Sequence, residues 1–342
     1  MKVVFSARQL RHAPDVFVSS GAEHPNPESP ERADCLLAAA TAYGLSVVEP
    51  EDYGTDLLAE VHSARYLNFL EHIFDRWQYI AGASRYVMPN IHPDGRNCGY
   101  PKSAVGQVGF HVYDGSCPIA ADTWDSACWS ANTAIHAAHE VLGGSPACYA
   151  LSRPPGHHAG RDLVGGFCYL NNSALAATVL RQGHARVAVL DIDVHHGNGT
   201  QDIFYARDDV LTVSLHANPV RFYPFFWGYA DECGTGAGEG FNLNIPLARG
   251  TEDDAYLHAL HAALQRIRDF RAEALVVALG LDAHASDPFQ GLKVSTGGFK
   301  RIAGAIAELH LPTVLVQEGG YLSDELGENL YAFLRGFRSH HL

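Results

Sequence analysis

Short apolar runs rich in Val, Ile and Leu alternate along the chain with longer stretches of helical period. The runs at 3–6, 46–48, 147–152, 187–191, 211–215, 275–279 and 313–317 are continuous in apolar residues rather than alternating. That pattern suits strands buried on both faces of a parallel sheet. A 3.6-residue period predicts helices over 30–43, 64–77, 124–142, 171–182, 253–270 and 298–309. Strand and helix in alternation predict an α/β fold, a three-layer α/β/α architecture around a central, mainly parallel sheet. Two segments break the rhythm. Residues 79–107 mix Gly, Pro, Asn and aromatics with little periodicity, and 216–240 are dense first in aromatics and then in glycines. Long ordered loops tend to be functional, although each also reads as a plain surface excursion. Tyr223, Phe225, Phe226 and Trp227 favour a pocket wall for the second. With no internal repeat, low-complexity tract or linker, residues 1–342 are expected to form one catalytic domain with a long loop insertion at about 79–117.

Charge and cysteine usage narrow the classes of function. There are 24 basic and 38 acidic residues, a formal net charge of −14, which argues against nucleic acid or an anionic membrane as partner and mildly favours cationic ones. The seven cysteines form no close CxxC pair, so neither a disulfide framework nor a cysteine-based zinc knuckle is indicated. The amino terminus, MKVVFS, leads straight into a predicted strand without signal-peptide features, and no apolar run reaches the length of a bilayer. The expected location is the cytoplasm.

Candidate chemistry sits where predicted strands end. In VAVLDIDVHHGNGT (187–200) an apolar strand gives way to Asp191, Asp193, His195, His196 and a Gly-Asn-Gly turn. In a parallel sheet this is the carboxyl edge, where α/β sites form. Asp193 and His195 are two apart, so on an extended segment their side chains share a face. The strand 273–280 ends near Asp282. Two carboxylates and an imidazole suit Zn²⁺ or Fe²⁺, and three protein ligands leave a position for water. Turn-capping is the alternative for any one of these acids. SRPPGHHAG (152–160) presents His157 and His158 on a stiff turn, suited to acid–base work. After the strand 313–317, Glu318, Gly319, Gly320 and Tyr321 follow, and the Tyr321 hydroxyl is a candidate donor to a developing oxyanion.

HPNPESPERA (24–33), RPPGHHAG (153–160), GGFCYLNN (165–172), DIDVHHGNGTQDIFY (191–205), VSLH (213–216), GLDAHASDP (280–288) and EGGY (318–321) together resemble the histone deacetylase superfamily, of the arginase/deacetylase fold. SARYLNFLEHIFDRW (63–77), DGSCPIAADTW (114–124) and FYPFFWGYADE (222–232) are similar to its bacterial acetylpolyamine amidohydrolase branch. The resemblance implies a zinc- or iron-dependent deacetylase that releases acetate from a small cationic acetylated amine. It implies a homodimer in which the loop around 79–117 narrows the neighbouring active site. His158 would be the general base and then acid, with His157 its electrostatic partner. Asp191 would hydrogen-bond His157, and Asn198 would stand behind His158. Tyr321 would polarise the acetyl carbonyl, and Phe167 and Tyr223 would wall an aromatic tunnel. Structural K⁺ or Na⁺ ions are also implied. One site would involve Asp191, Asp193, His195, Ser214 and Leu215, the other main-chain carbonyls near Phe204, Arg207 and Val210.

The sequence departs from the relatives at two places. Binuclear relatives carry further aspartates where this chain has Gly197 and His284, which points to a single-metal centre. Polyamine-selective relatives carry glutamates where rough alignment gives Val105 and Ser116, with Asp114 nearby as a substitute. Three readings stay open: an acetylpolyamine deacetylase, a broader acetyl-lysine or acylamide deacetylase, and a zinc-retaining binding protein without catalysis. The intact His157, His158 and Tyr321 argue against the last.

Overall fold

The computed structural model of the protein describes residues 1–94 and 99–341; Cys98 and the other residues of 95–98, within the long loop, lie outside them. The strands are β1 (Lys2–Val4), β2 (Val16–Ser19), β3 (Ala22–Pro25), β4 (Ser46–Val48), β5 (Ala147–Ala150), β6 (Val187–Asp191), β7 (Val210–Ala217), β8 (Asn242–Leu247), β9 (Ala274–Leu279) and β10 (Thr313–Gln317). Eight of them form one sheet in the order β4-β1-β5-β10-β9-β6-β7-β8, while β2 and β3 make a separate antiparallel hairpin. Every pairing in the large sheet is parallel. All eight carboxyl ends therefore lie along one edge.

Helices cover both faces, as the continuous apolar runs require. Leu275, Val277 and Leu279 of β9 pack with residues of the helices Pro30–Ala42, Asp253–Phe270, Thr296–Ala307 and Leu326–His341. Ala274 and Val276 of the same strand pack on the other side, with the helices Ala64–Trp77, Thr123–Leu142 and Asn172–Leu180. The result is the expected three-layer α/β/α arrangement. Serine and asparagine caps start several of these helices. Ser63 accepts from Tyr66 N at 3.2 Å, and Asn171 from Ala174 N at 2.8 Å.

Several elements escape the hydrophobic pattern. β8, NLNIPL, is an edge strand whose Asn242 and Asn244 feed a buried polar network, and Pro246 is tolerable only at an edge. The long loop contains a helix, Ala104–His111, whose apolar period is cut by two glycines. The amphipathic carboxy-terminal helix Leu326–His341 also falls outside the helices predicted from periodicity. It is integral to the core, since Leu330, Phe333, Leu334 and Phe337 are buried. All six described cysteines are free thiols. No helix among the described residues is long and apolar enough to cross a membrane.

Phe333, on the inner face of this helix, is fully buried. Phe333→Ala is expected to cost about 3–5 kcal/mol, the range for emptying a buried aromatic site, read as a lower denaturant midpoint with unchanged slope.

Candidate active site

The four central strands β5, β10, β9 and β6 end in Arg153–His158, Glu318–Tyr321, Asp282 and Asp193–His195 respectively, so the sheet gathers all the predicted clusters. Asp193 and His195 meet by a different device from the extended segment expected. The chain leaves β6 at Asp191 and turns. Asp191 Oδ1 accepts from Asp193 N at 3.0 Å, and Asp193 Oδ1 accepts from His195 N at 2.9 Å. Successive side-chain-capped turns thus replace strand alternation. Neighbouring loops fix the carboxylates further: Gly319 N donates to Asp193 Oδ2 at 2.7 Å and Val194 N to Asp282 Oδ1 at 2.9 Å. A Cβ on Gly319 would lie 2.2 Å from Asp282 Oδ2, so only glycine allows this approach.

His195 Nδ1 lies 3.1 Å from Asp193 Oδ1 and 3.2 Å from Asp282 Oδ2. One donor atom from each of the three residues falls within 4.8 Å of the others, and all three residues are buried. Burial and the neighbouring Asp193 charge push the Asp282 carboxyl up to about 6. Burial works against ionisation of Asp193 too, but His157 and His195 outweigh it and hold that carboxyl below its ordinary range. Two buried carboxylates converging on one point are costly unless a cation joins them. The mixed oxygen and nitrogen donors fit a borderline divalent metal. A second grouping, His157, Cys168 and Glu318, is equally close, but hydrogen bonds occupy both Glu318 oxygens. His284 hydrogen-bonds Ser286, and a Cβ at Gly197 would sit 2.2 Å from Asp191 Oδ2. Neither position adds a ligand to the triad.

The histidine rings lie side by side, their centroids 4.1 Å apart. His157 Nδ1 is 2.9 Å from Asp191 Oδ2, and His158 Nδ1 is 2.7 Å from Asn198 Oδ1. Burial depresses both imidazoles, but Asp191 and Asp193 overcome it at His157 and raise that group to about 10. At His158 burial acts together with the adjacent His157 and His195, and the imidazole is held well below its usual value. The surroundings therefore favour the charged form of His157 and the neutral form of His158. Because an amide oxygen can only accept, His158 carries its proton on Nδ1 and keeps Nε2 as a base.

The sequence reading missed the residues that hold these groups in place. Glu318 Oε2 accepts from Gly156 N at 2.7 Å and His157 N at 3.1 Å, while Oε1 accepts from the Ser173 hydroxyl at 2.7 Å. Arg32 donates to the carbonyls of Gly320 (2.5 Å) and Glu318 (2.7 Å) and to Glu28 Oε1 (2.7 Å). Its guanidinium carbon also lies 4.7 Å from the centroid of the Tyr321 ring. Arg153 shares Glu28 at 2.9 Å. Glu28 and Arg32 lie in HPNPESPERA, where the charges of a Ser-Pro-initiated helix gave no hint of burial. Asp287 accepts from Tyr321 N at 3.0 Å.

A cavity of about 230 Å³ opens over this base, lined by His157, His158, His195 and Tyr321 below and by Phe167, Tyr223 and Phe289 along its walls. The Tyr223 ring stands nearly perpendicular to His158, 4.9 Å between centroids. Ser116 and exposed Arg221 also line it, and among the described residues no carboxylate does. Val105 lies on the Ala104–His111 helix. Asp114 does not stand free for an ammonium group: it accepts from Tyr223, Gly166 N and Ser116 N. Among the residues expected at cation sites, Asp191 and Ser214 are cross-strand partners, with Leu215 next in β7. Phe204, Arg207 and Val210 fall at the turn into β7, where Phe204 O accepts from Arg207 N at 2.9 Å.

Residues 26–337 match the model of the histone deacetylase domain. The chain belongs to the histone deacetylase family. It is 46% identical to the acetylpolyamine amidohydrolase of Burkholderia pseudomallei over 98% of both chains. It is 41% identical to that of Mycoplana ramosa, over 98% of this chain and 99% of the relative. A crystal structure of acetylpolyamine aminohydrolase from Burkholderia pseudomallei superposes with a TM-score of 0.95, covering 98% of each chain. The HD domain of HDA15 superposes at 0.81 with 27% identity, over 99% of this chain and 89% of that one. As a member of this generally metal-dependent family, the chain is a hydrolase of the amidohydrolase and deacetylase type.

Glu318→Gln puts an amide NH₂ in place of one of two carboxylate oxygens that both already accept from donors. The substitution is expected to cost about 1–3 kcal/mol of stability, the penalty for an unsatisfied buried group, read as a lower thermal midpoint. It should also lower kcat through the displaced His157–His158 turn.

Proposed function

We propose that the protein is a zinc-dependent deacetylase of one catalytic domain, hydrolysing the acetamide of N-acetylated polyamines to acetate and the free amine. The observation that carries this reading is the convergence of Asp193, His195 and Asp282 with His157, His158 and Tyr321 on one narrow aromatic cavity. The names and near-complete coverage of the relatives support the substrate class. Asp193, His195 and Asp282 would hold the zinc, which when bound acidifies a water and polarises the carbonyl. His158, neutral with a free Nε2, accepts the water's proton and returns it to the departing amine. His157, held cationic by Asp191 and Asp193, stabilises negative charge beside it. Tyr321 donates to the developing oxyanion, its loop fixed by Arg32 and Asp287. Phe167, Tyr223 and Phe289 exclude water and admit a slender alkyl chain.

Structural K⁺ or Na⁺ belongs to the same reading, at Asp191, Asp193, His195, Ser214 and Leu215, and near Phe204, Arg207 and Val210. The adjacency of Asp191 and Ser214 supports the first site. A homodimer is supported by exposed apolar side chains concentrated on the two long loops: Tyr79, Ile91 and Tyr100 on one, Val220, Phe225 and Phe226 on the other. Sedimentation velocity reads this directly; a single monomer-sized species would remove the dimer.

A broader acylamide deacetylase is the second reading. It is favoured by the absence of any carboxylate among the described residues lining the cavity, and by Arg221 among them. Acetylputrescine, acetylcadaverine, acetylspermidine and an acetyl-lysine peptide, compared in one acetate-release assay, separate the two. Higher kcat/KM for the amines is expected, and equal or better turnover of the peptide would give the case to the broader enzyme. Tyr321→Phe is expected to lower kcat by roughly 10²–10³, the loss typical of one oxyanion donor, with zinc content unchanged. Dialysis against a chelator should abolish turnover, and added Zn²⁺ should restore it.

A further inference from the structure

One carboxylate on the long loop ties together two of the aromatic walls of the cavity. Asp114 follows the Ala104–His111 helix, and its Oδ2 accepts from the Tyr223 hydroxyl at 2.6 Å and from Gly166 N at 3.2 Å. Oδ1 accepts from Ser116 N at 2.8 Å, which closes the turn and fixes the carboxylate plane. Tyr223 is one wall, and Gly166 precedes Phe167, which is another. There is little slack between them. Gly166 has φ +55°, and a Cβ there would lie 2.4 Å from His158 Cδ2 and 2.8 Å from the Tyr223 hydroxyl.

The same contact ends a hydrogen-bonded series that begins at the base. A phenol has one proton, and the short contact to a carboxylate claims that of Tyr223. The Tyr113 hydroxyl then donates to the Tyr223 oxygen at 2.8 Å, and Asn198 Nδ2 donates to Tyr113 at 3.4 Å. Asn198 Oδ1 in turn accepts from His158 Nδ1. Every donor in the series points towards Asp114. Asp114 is thus engaged as an anchor, which leaves it no role as a free substrate-binding acid.

We propose that Asp114 is a positioning residue that sets the tunnel aperture through Tyr223, and thereby selects unbranched alkyl acetamides. The proposal rests on the deacetylase reading above. Uncharged probes isolate aperture from charge: N-butylacetamide against N-(2-methylbutyl)acetamide, each measured with wild type, Asp114→Asn, Tyr223→Phe and the double variant. Asparagine keeps the size but sets an NH₂ against the donors on one of the two oxygens, and phenylalanine keeps the ring but loses the hydroxyl. Each single variant is expected to raise KM for the linear probe about tenfold and to shrink the linear-to-branched ratio of kcat/KM by a similar factor, the scale of one charge-assisted hydrogen bond. The double variant is expected to do clearly less than the sum of the two single effects, because both remove the Tyr223–Asp114 contact. A ratio unchanged in Tyr223→Phe, or effects that add in the double variant, would overturn the proposal, and Tyr223→Phe decides it alone should Asp114→Asn fail to fold. Hydrolysis of acetylputrescine but of neither probe by the wild type would overturn the proposal alone, since charge and not aperture would then select; hydrolysis of none of the three would remove the deacetylase reading as well.

Discussion

Asp191, Asp193, Asp282 and Glu318 are all buried at the carboxyl edge of one parallel sheet, and much of the surrounding structure serves to neutralise and aim them. An unpaired buried carboxylate is costly. Here Asp193, Asp282 and Glu318 each have backbone donors from a neighbouring loop, Gly319 N on Asp193, Val194 N on Asp282, and Gly156 N with His157 N on Glu318, while Asp191 has one from its own loop, Asp193 N. The loops after β5, β6, β9 and β10 are therefore cross-linked to one another through acid side chains. The candidate catalytic groups at the ends of four separate strands are held as a unit by this mutual capping.

The histidine pair shows how position alone divides two identical side chains. His157 and His158 are adjacent in sequence and equally buried, yet His157 faces the carboxylates of Asp191 and Asp193 while His158 faces the amide of Asn198. The charged form is favoured at His157 and the neutral form at His158. An aspartate in place of Asn198 would add an acceptor charge behind His158 and draw the two rings towards the same state.

Beneath the site a second buried charge system, Glu28 with Arg32 and Arg153, joins the amino-terminal segment to the last sheet strand. It holds no reacting group. Its guanidinium donors satisfy the carbonyls of Glu318 and Gly320, which helps Tyr321 sit over the cavity floor. Breaking such a network from one side leaves an uncompensated charge, which makes these residues as sensitive to change as the reactive ones.

The alternation of apolar runs with helical periods determined the α/β class, and the polar clusters at strand ends determined Asp193, His195, Asp282, His157, His158 and Tyr321 as candidates. Both are local signals, carried by residues within a few positions of one another. β8, the carboxy-terminal helix and the helix in the long loop were illegible because their apolar faces are diluted by Asn, Pro, Gly or charge, and only partners distant in sequence supply the burial. The tertiary structure alone decided the strand order that brings 153–158 beside 318–321, the turns rather than a strand that aim Asp193 and His195, and the supporting roles of Glu28, Arg32 and Glu318. It also turned Asp114 from a possible ligand for an amine into the anchor of Tyr223. A carboxylate's role depends on which donors reach it, and here those donors come from Tyr223 and Gly166, far from Asp114 in sequence.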